Sequence, residues 1–389
     1  MTKIAIVTAT RAEYGLLSPI IRSLRKFEND DFIVELIVCG THLSNDFGMT
    51  ITEIDSDEIR IDHKIQTPVA SRISKDISFN QAATLTKFAD LFESVHYDGI
   101  MILGDRYEML AIAIAAGNAG IPIFHISGGD TTEGSVDEWI RHSITKISYI
   151  HFTTNEISRK RVIQLGESPD RVFNYGSTAI DNIISMPYVS KADILGSLGL
   201  LDCKYAVCTY HPVTISHETV DGYAFAFIRA IESFPDITFI ITKANSDRGG
   251  ARINELLEQA EKRLENVHVY ASLGNYRYLS LLRHSEFILG NSSSGIVEAP
   301  TLHVPTVNIG ERQRGRLQSE SVINCGAKTD DIISAVNHAM TDEHKAICKK
   351  VINPYGDGHS ADRIAAKTYE ILINEGIDLK KKFYDLQQQ

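Results

Sequence analysis

The chain has 389 residues, enough for two or three domains with real cores, and its 43% hydrophobic and 23% charged residues argue against disorder, a fibrous repeat or a minimal peptide module. A net charge of −11 argues against a protein whose main task is covering nucleic-acid phosphates. Five dispersed cysteines with no C-x-x-C pair argue against a disulfide framework or a zinc ribbon and fit a reducing cytoplasm.

The opening MTKIAIVTATR carries an apolar run shorter than the core of an export signal and leads directly to Arg11, so no export signal is expected. Runs rich in Val and Ile then alternate with helical periods. Strands are predicted over Ile4–Ala9, Val34–Gly40, Gly99–Leu103, Ile121–Ser127, Ile150–Thr154 and Arg171–Tyr175, with helices after Gly15 and over Gln81–Val95. No charged residue occurs from Met109 to Gly129, but Asn118, Gly120, Pro122 and His125 split that stretch into helix, turn and buried strand. After Ser185-Met186-Pro187 the pattern restarts, with strands predicted over Tyr205–Tyr210, Ile237–Thr242, Val267–Ala271, Glu286–Gly290 and Val304–Ile309. The fold class is therefore α/β, with two doubly wound, Rossmann-like domains over 1–185 and 186–361. A helical segment over 362–389 is expected to return to the first domain. Ligands of such folds bind beyond the carboxyl ends of the strands, so motifs lining an interdomain cleft are expected there.

The first strand ends in T-A-T-R-A-E-Y-G (Thr8–Gly15), where Arg11 beside fresh helical amides suits an anion, the plain alternative being a surface arginine. L-G-D-R-Y-E (Leu103–Glu108) places Asp105 and Arg106 at a strand end, Asp105 being either a helix cap or a base or sugar-hydroxyl acceptor. H-I-S-G-G-D-T-T-E-G-S-V-D-E-W-I-R-H (His125–His142) is a Gly-rich loop in which Asp130, Glu133, Asp137 and Glu138 supply acids and bases. Arg141 supports them, and His125 reads as a core histidine. The spacing is not that of a metal site, and no metal is expected.

In the second half, Y-H-P-V-T puts His211 at a strand end, where it can donate to a phosphate or move a proton. T-K-A-N-S-D-R-G-G offers Asn245. L-G-N-S-S-S-G-I-V-E-A-P (Leu289–Pro300) joins a strand to a short helix whose amides and three serines can cradle a diphosphate. Glu298, a turn inside that helix, can accept both hydroxyls of a ribose. N-I-G-E-R-Q-R-G-R (Asn308–Arg316) adds Arg312, while Arg314 and Arg316 suit a solvated basic loop better. Together these fit a nucleoside-diphosphate sugar, and the residues alone leave glycosyl transfer, epimerisation and hydrolysis open.

In their order from residue 1 to about residue 370, T-R-A-E-Y-G, G-D-R-Y-E, H-I-S-G-G-D with D-E-W-I-R-H-S-I-T-K, Y-H-P-V-T, G-N-S-S-S-G-I-V-E-A-P and N-I-G-E-R-Q resemble the hydrolysing UDP-N-acetylglucosamine 2-epimerases of sialic-type acid biosynthesis. The resemblance implies a glycosyltransferase B-type fold and a cytoplasmic homodimer or homotetramer acting on a UDP-sugar without cofactor or metal, with no nucleic-acid or membrane partner. It implies that UDP-N-acetylglucosamine and water become N-acetylmannosamine and UDP: C2–H is removed as the C1–O bond to UDP breaks, and water adds to the 2-acetamidoglucal. Asp105 and Asp137 then match acidic catalytic positions, and His211 the histidine at the leaving phosphate. Arg11, Asn245, Ser292, Ser293, Glu298 and Arg312 match nucleotide-binding positions, with Arg106 and Arg141 neighbouring the sugar and diphosphate.

Many members of that family read H-I-E-G-G-E, with a catalytic Glu where this chain has Ser127, and Asp130 is expected as its substitute. The same departure leaves open a 2,4-diacetamido-2,4,6-trideoxy sugar of the legionaminic acid pathway. Non-hydrolysing epimerases, with a proline after the first Arg and an E-A-G-L-R-T loop, resemble the chain less. A catalytically silent nucleotide-sugar sensor is the alternative from another class, against which Asp105, Asp137 and His211 weigh.

Overall fold

The computed structural model describes residues 1–69, 74–131, 136–212, 220–244 and 250–386. The chain divides into two compact units, one of Met1–Asn182 with Tyr355–Gln389 and one of Ile183–Pro354.

The first unit is a seven-stranded parallel sheet of β1 (Thr2–Thr8), β2 (Phe32–Cys39), β3 (His63–Ile65), β4 (Gly99–Leu103), β5 (Ile123–Ile126), β6 (Ile150–Thr153) and β7 (Val172–Asn174), ordered β3-β2-β1-β4-β5-β6-β7. Alternate residues of β1 serve two cores. Ile4 and Ile6 join Leu17, Ile20 and Phe32 on one face, while Ala5 and Val7 join Phe88, Met109 and Ile112 on the other. A strand buried on both faces has no polar side to show, so β1 reads as a continuous apolar run.

The returning helix Ser360–Glu370 gives Ala361, Ile364 and Ala365 to the first of those cores. At its start the Asp181 carboxylate accepts the N–H groups of Ser360 (3.2 Å) and Ala361 (2.7 Å), two of the donors that a helix cannot satisfy internally. The uncharged stretch after Met109 is the body of the helix Tyr107–Asn118, a turn and β5. Among the described residues no helix is long and apolar enough to cross a membrane.

The second unit is a six-stranded parallel sheet of β8 (Tyr205–Thr209), β9 (Thr238–Thr242), β10 (Val267–Tyr270), β11 (Ile288–Gly290), β12 (Thr306–Ile309) and β13 (Val322–Cys325), ordered β10-β9-β8-β11-β12-β13. Strand order reverses between β1 and β4 in one unit and between β8 and β11 in the other. Connections leave such a pair toward opposite faces and open a crevice beyond the carboxyl ends. At β11 the close pairing requires Gly290, whose φ is +143° and where a Cβ would lie 2.0 Å from the carbonyl oxygen of Thr209. Several strand starts shift by one or two residues, and two helices start further ahead of expectation: the one predicted after Gly15 begins at Arg11, and the one predicted from Gln81 begins at Ser74.

Candidate functional site

Beyond β1, a capping box starts the helix Arg11–Arg25. Thr10 Oγ1 accepts the N–H of Glu13 (3.3 Å), and Glu13 Oε2 accepts those of Ala9 (2.8 Å) and Thr10 (3.0 Å). Arg11 therefore lies on the outside of the first turn, exposed, with Nε 3.1 Å from Glu53 Oε1. Burial pushes the Glu13 carboxyl up to about 8, and the nearby Glu108 adds to the effect. Arg106 turns to the fully buried Glu108, with contacts of 3.1 and 3.2 Å. Burial disfavours the Arg106 cation, but the Glu108 carboxylate outweighs it and holds the guanidinium above its ordinary value.

Arg141 gathers the next two strand ends. It is buried on the helix Val136–Ile147, its guanidinium meets the carboxylate of Asp105 beyond β4, and Nη1 donates to the carbonyl of Asp130 beyond β5 (2.8 Å). Nη1 also lies 3.5 Å from Glu138 of its own helix. Asp105 keeps 27% of its side-chain surface exposed against 5% for Arg141, so the carboxylate is open to a ligand while the cation that orients it is shut away. Asp137 is exposed in the first turn of the same helix, where the macrodipole favours an anion.

Asp130 is placed differently. Its Oδ1 accepts the hydroxyls of Thr154 (3.3 Å) and Ser158 and the amide of Asn155 (3.5 Å), which ties its carboxylate to the start of the helix Glu156–Gln164. Ser127 follows β5 with φ +62°, a left-handed conformation that few residues with a side chain adopt, and its N–H donates to the Phe152 carbonyl (2.8 Å). His125 is fully buried, its Nε2 bonded to the Gly104 carbonyl (2.9 Å), and burial pulls it down to about 3. It is a neutral core histidine. Among the described residues no group of His, Cys, Asp or Glu is arranged to hold a metal ion.

In the second unit the organising side chain is Asn291, fully buried just beyond β11. Its Oδ1 accepts the N–H of His211 (2.7 Å) and its Nδ2 donates to the His211 carbonyl (2.8 Å), so one amide clips the backbone at the end of β8. The carbonyl of Asn291 accepts Arg312 Nη1 (3.1 Å) and Gln313 Nε2 (2.9 Å) from beyond β12. Three strand ends are thus joined through one residue.

The partly exposed Ser292 and Ser293 follow, and Ser292 Oγ accepts the N–H of Ser294 (3.3 Å). The helix Ser294–Val297 is a single turn, continued by a 3-10 turn over Ala299–Leu302 with Glu298 at the joint. Tyr278 Oη donates to Ser294 Oγ (2.8 Å), which donates to Glu298 Oε2. Burial pushes the Glu298 carboxyl up against the pull of that hydrogen bond. Arg314 is 77% exposed and pairs only locally with Glu311, as expected of a solvated loop. Asn245 and Glu133 lie outside the described residues.

A profile described as UDP-N-acetylglucosamine 2-epimerase matches residues 25–368 of this chain. The chain belongs to that enzyme family. Three relatives align along most of their length. It is 37% identical to GDP/UDP-N,N′-diacetylbacillosamine 2-epimerase (hydrolyzing) of Campylobacter jejuni over 88% of both chains. It is 34% identical to polysialic acid biosynthesis protein P7 of Escherichia coli over 99% of this chain and 98% of the other. It is 33% identical to UDP-N,N′-diacetylbacillosamine 2-epimerase (hydrolyzing) of Legionella pneumophila over 93% and 94%. The fold matches the UDP-GlcNAc 2-epimerase of Neisseria meningitidis in its crystal structure with UDP-GlcNAc, at a TM-score of 0.75 and 20% identity, covering 95% of this chain and 100% of that one. The two parallel-sheet units are those of a glycosyltransferase B-type fold.

In this 2-epimerase family member the residues that the sequence did not single out are Asn291 and Gln313 beyond strand ends and Tyr278 on the helix Gly274–His284. Asn291 sits inside G-N-S-S-S-G, where the serine hydroxyls draw attention first. An amide between a strand end and a helix start was the available signal, since its separate acceptor and donor atoms can take the N–H and the C=O of one neighbouring residue at once.

Proposed function

We propose that this 2-epimerase is hydrolysing and converts UDP-N-acetylglucosamine and water into N-acetylmannosamine and UDP, feeding sialic-type acid biosynthesis. The observation that carries the reading is the half-open carboxylate of Asp105, oriented by the buried Arg141 at the end of β4. The C2 proton of the sugar has no adjacent carbonyl, so its removal must be assisted by departure of UDP. A carboxylate takes that proton, the C2–H electron pair forms the C1=C2 bond, and the C1–O pair leaves with UDP. Water then adds hydroxyl at C1 while a proton returns to C2 from the opposite face. Asp105 and Asp137 are suited to the proton transfers and to stabilising positive charge at the ring.

In this scheme His211 and Arg312 take the charge growing on UDP, Ser292 and Ser293 hold its phosphates, and Glu298 its ribose. Because Oδ1 of Asp130 is engaged by three side chains, we assign Asp130 to holding Arg141 through its carbonyl rather than to moving a proton. The word hydrolyzing in the names of two relatives supports release of UDP. The same two names, with Ser127 in place of a carboxylate, favour a second substrate reading, the UDP-activated 2,4-diacetamido sugar.

The test is incubation with each UDP-sugar in deuterated water, followed by NMR. Free UDP with N-acetylmannosamine deuterated at C2 is the expected result. Release of UDP only from the diacetamido sugar moves the substrate. Formation of UDP-N-acetylmannosamine refutes the hydrolysing reading, and UDP binding without turnover of either sugar makes the protein a sensor.

A further inference from the structure

The chain does not stop at its last helix. Beyond Glu375 an irregular segment runs back across the first unit, and its contacts converge on one end of the helix that carries Asp137 and Arg141. Lys381 is the focus. Its ammonium donates to the carbonyls of Lys146 (2.7 Å) and Ser148 (2.6 Å) and pairs with Glu167 Oε2 (2.7 Å), which uses all three of its donors. The first carbonyl lies in the last turn of the helix Val136–Ile147 and the second on the residue that follows it, where the last C=O groups have no partner within the helix and a cation opposes the negative end of the dipole.

Glu167 is fully buried and also receives Lys146 Nζ (2.6 Å) and His151 Nε2 (3.2 Å). Burial alone would raise its carboxyl, but the hydrogen bonds from His151, Lys146 and Lys381 hold it down to about 2. Phe383 seats the segment beside it. Gly166 has φ +89°, and a Cβ there would come within 2.3 Å of the Phe383 ring, so only glycine admits this contact. The Tyr384 N–H donates to the Gly166 carbonyl (2.9 Å), and Lys146 Nζ lies 5.0 Å over the Phe383 ring. Tyr149 Oη and Arg171 Nη2 hold the carbonyls of Leu379 (3.1 Å) and Asp378 (3.2 Å).

Resting on the hydrolysing reading, we propose that the segment Asp378–Tyr384 is a positioning element, with Lys381 fixing the catalytic helix from its carboxyl end so that Arg141 at its middle and Asp137 in its first turn stand correctly. A helix transmits such a constraint as a rigid body, and the nine residues from Lys146 back to Asp137 span about 13 Å. Lys381 touches no reacting group, so its loss acts on turnover through geometry and leaves the UDP grip of the second unit alone.

The experiment compares full-length Lys381→Met and Lys381→Arg with the unchanged chain. It measures kcat and KM for the UDP-sugar, UDP affinity by calorimetry, and amide hydrogen exchange across 136–147. Lys381→Met is expected to lose kcat by about tenfold or more, to keep UDP affinity within about twofold, and to exchange the 136–147 amides about tenfold faster. Lys381→Arg, which keeps a cation and its donors, is expected to recover most of both. Unchanged exchange in 136–147 overturns the proposal whatever the activity, as does faster exchange with unchanged kcat. A lowered melting temperature with both readouts unmoved makes the segment a stabilising strap only, which also overturns it. If the unchanged chain turns over no UDP-sugar, the hydrolysing reading falls and this proposal with it, whereas unchanged exchange in an active chain overturns this proposal alone.

Discussion

The two units solve the same topological problem with opposite electrostatics. Among the described residues, the first unit buries Glu13, Glu108, Arg141, Glu167 and Asp181, whereas the buried polar residues of the second are hydroxyls and amides with the single histidine His344. Burying a charge is costly unless it is paired, and the first unit pairs most of its own: Glu108 with Arg106, Glu167 with Lys146 and Lys381, Arg141 with Asp105. The second unit holds its strand ends with Asn291, Ser294 and Gln313, neutral dipoles that bring no fixed charge to the serine loop. The proposed division of labour, proton transfer in the first unit and a diphosphate grip in the second, follows this contrast.

The largest expected effect breaks the first side of this contrast. Asp105→Asn keeps an acceptor for Arg141 but removes the carboxylate, and turnover is expected to fall about 10²- to 10⁴-fold, the range of a lost general acid or base. UDP affinity, measured by calorimetry, is expected to stay within about threefold of the unchanged protein. Turnover near the original rate removes Asp105 from the chemistry. An affinity loss as large as the rate loss erases the division of labour between the units.

How far this was readable from the sequence varies by region. Strands buried on both faces, such as β1 and β4, announce themselves as apolar runs. β3 (His63–Ile65) and β13 (Val322–Cys325) do not, because short, half-exposed edge strands carry neither a run nor an alternation. Asp105 and Arg141 were each legible from a strand-end or loop motif, but they are 36 residues apart and no local period encodes their pairing. The capping box of Thr10 and Glu13 follows a readable Thr-x-x-Glu spacing, which also explains why the first helix starts ahead of Gly15. Lys381 against Glu167 is legible nowhere, since tertiary contacts between irregular segments leave no pattern in composition or spacing.

An intermediate effect probes the neutral side. Asn291→Asp keeps the acceptor for the His211 N–H but loses the donor to its carbonyl and adds a negative charge beside the serine loop. UDP affinity is expected to drop about 10- to 100-fold by calorimetry, more than in Asn291→Ala, which loses the same clip without adding charge. If the aspartate variant binds UDP as tightly as the alanine variant, neutrality is not what that strand end contributes, and only the clip matters.

The smallest effect concerns Glu13, among the described residues the one buried carboxylate in the first unit with an oxygen, Oε1, that has no hydrogen-bond partner. Its carboxyl stands at about 8 in the folded chain against an ordinary value of 4.5, so between those values the native state holds a proton that the unfolded state has lost. Stability from this group is complete below about 4.5 and declines as pH rises through about 8. The slope is at most about 1.4 kcal/mol per pH unit for one proton. Glu13→Gln keeps an acceptor for the N–H groups of Ala9 and Thr10 and removes the titration. Urea unfolding between pH 5 and 8 is therefore expected to show the unchanged protein losing stability relative to the variant as pH rises, with the two curves running parallel beyond about pH 9. Parallel curves across the whole range place the ionised carboxylate in the folded state. The first unit then tolerates an unpaired buried charge, which its other carboxylates were arranged to avoid.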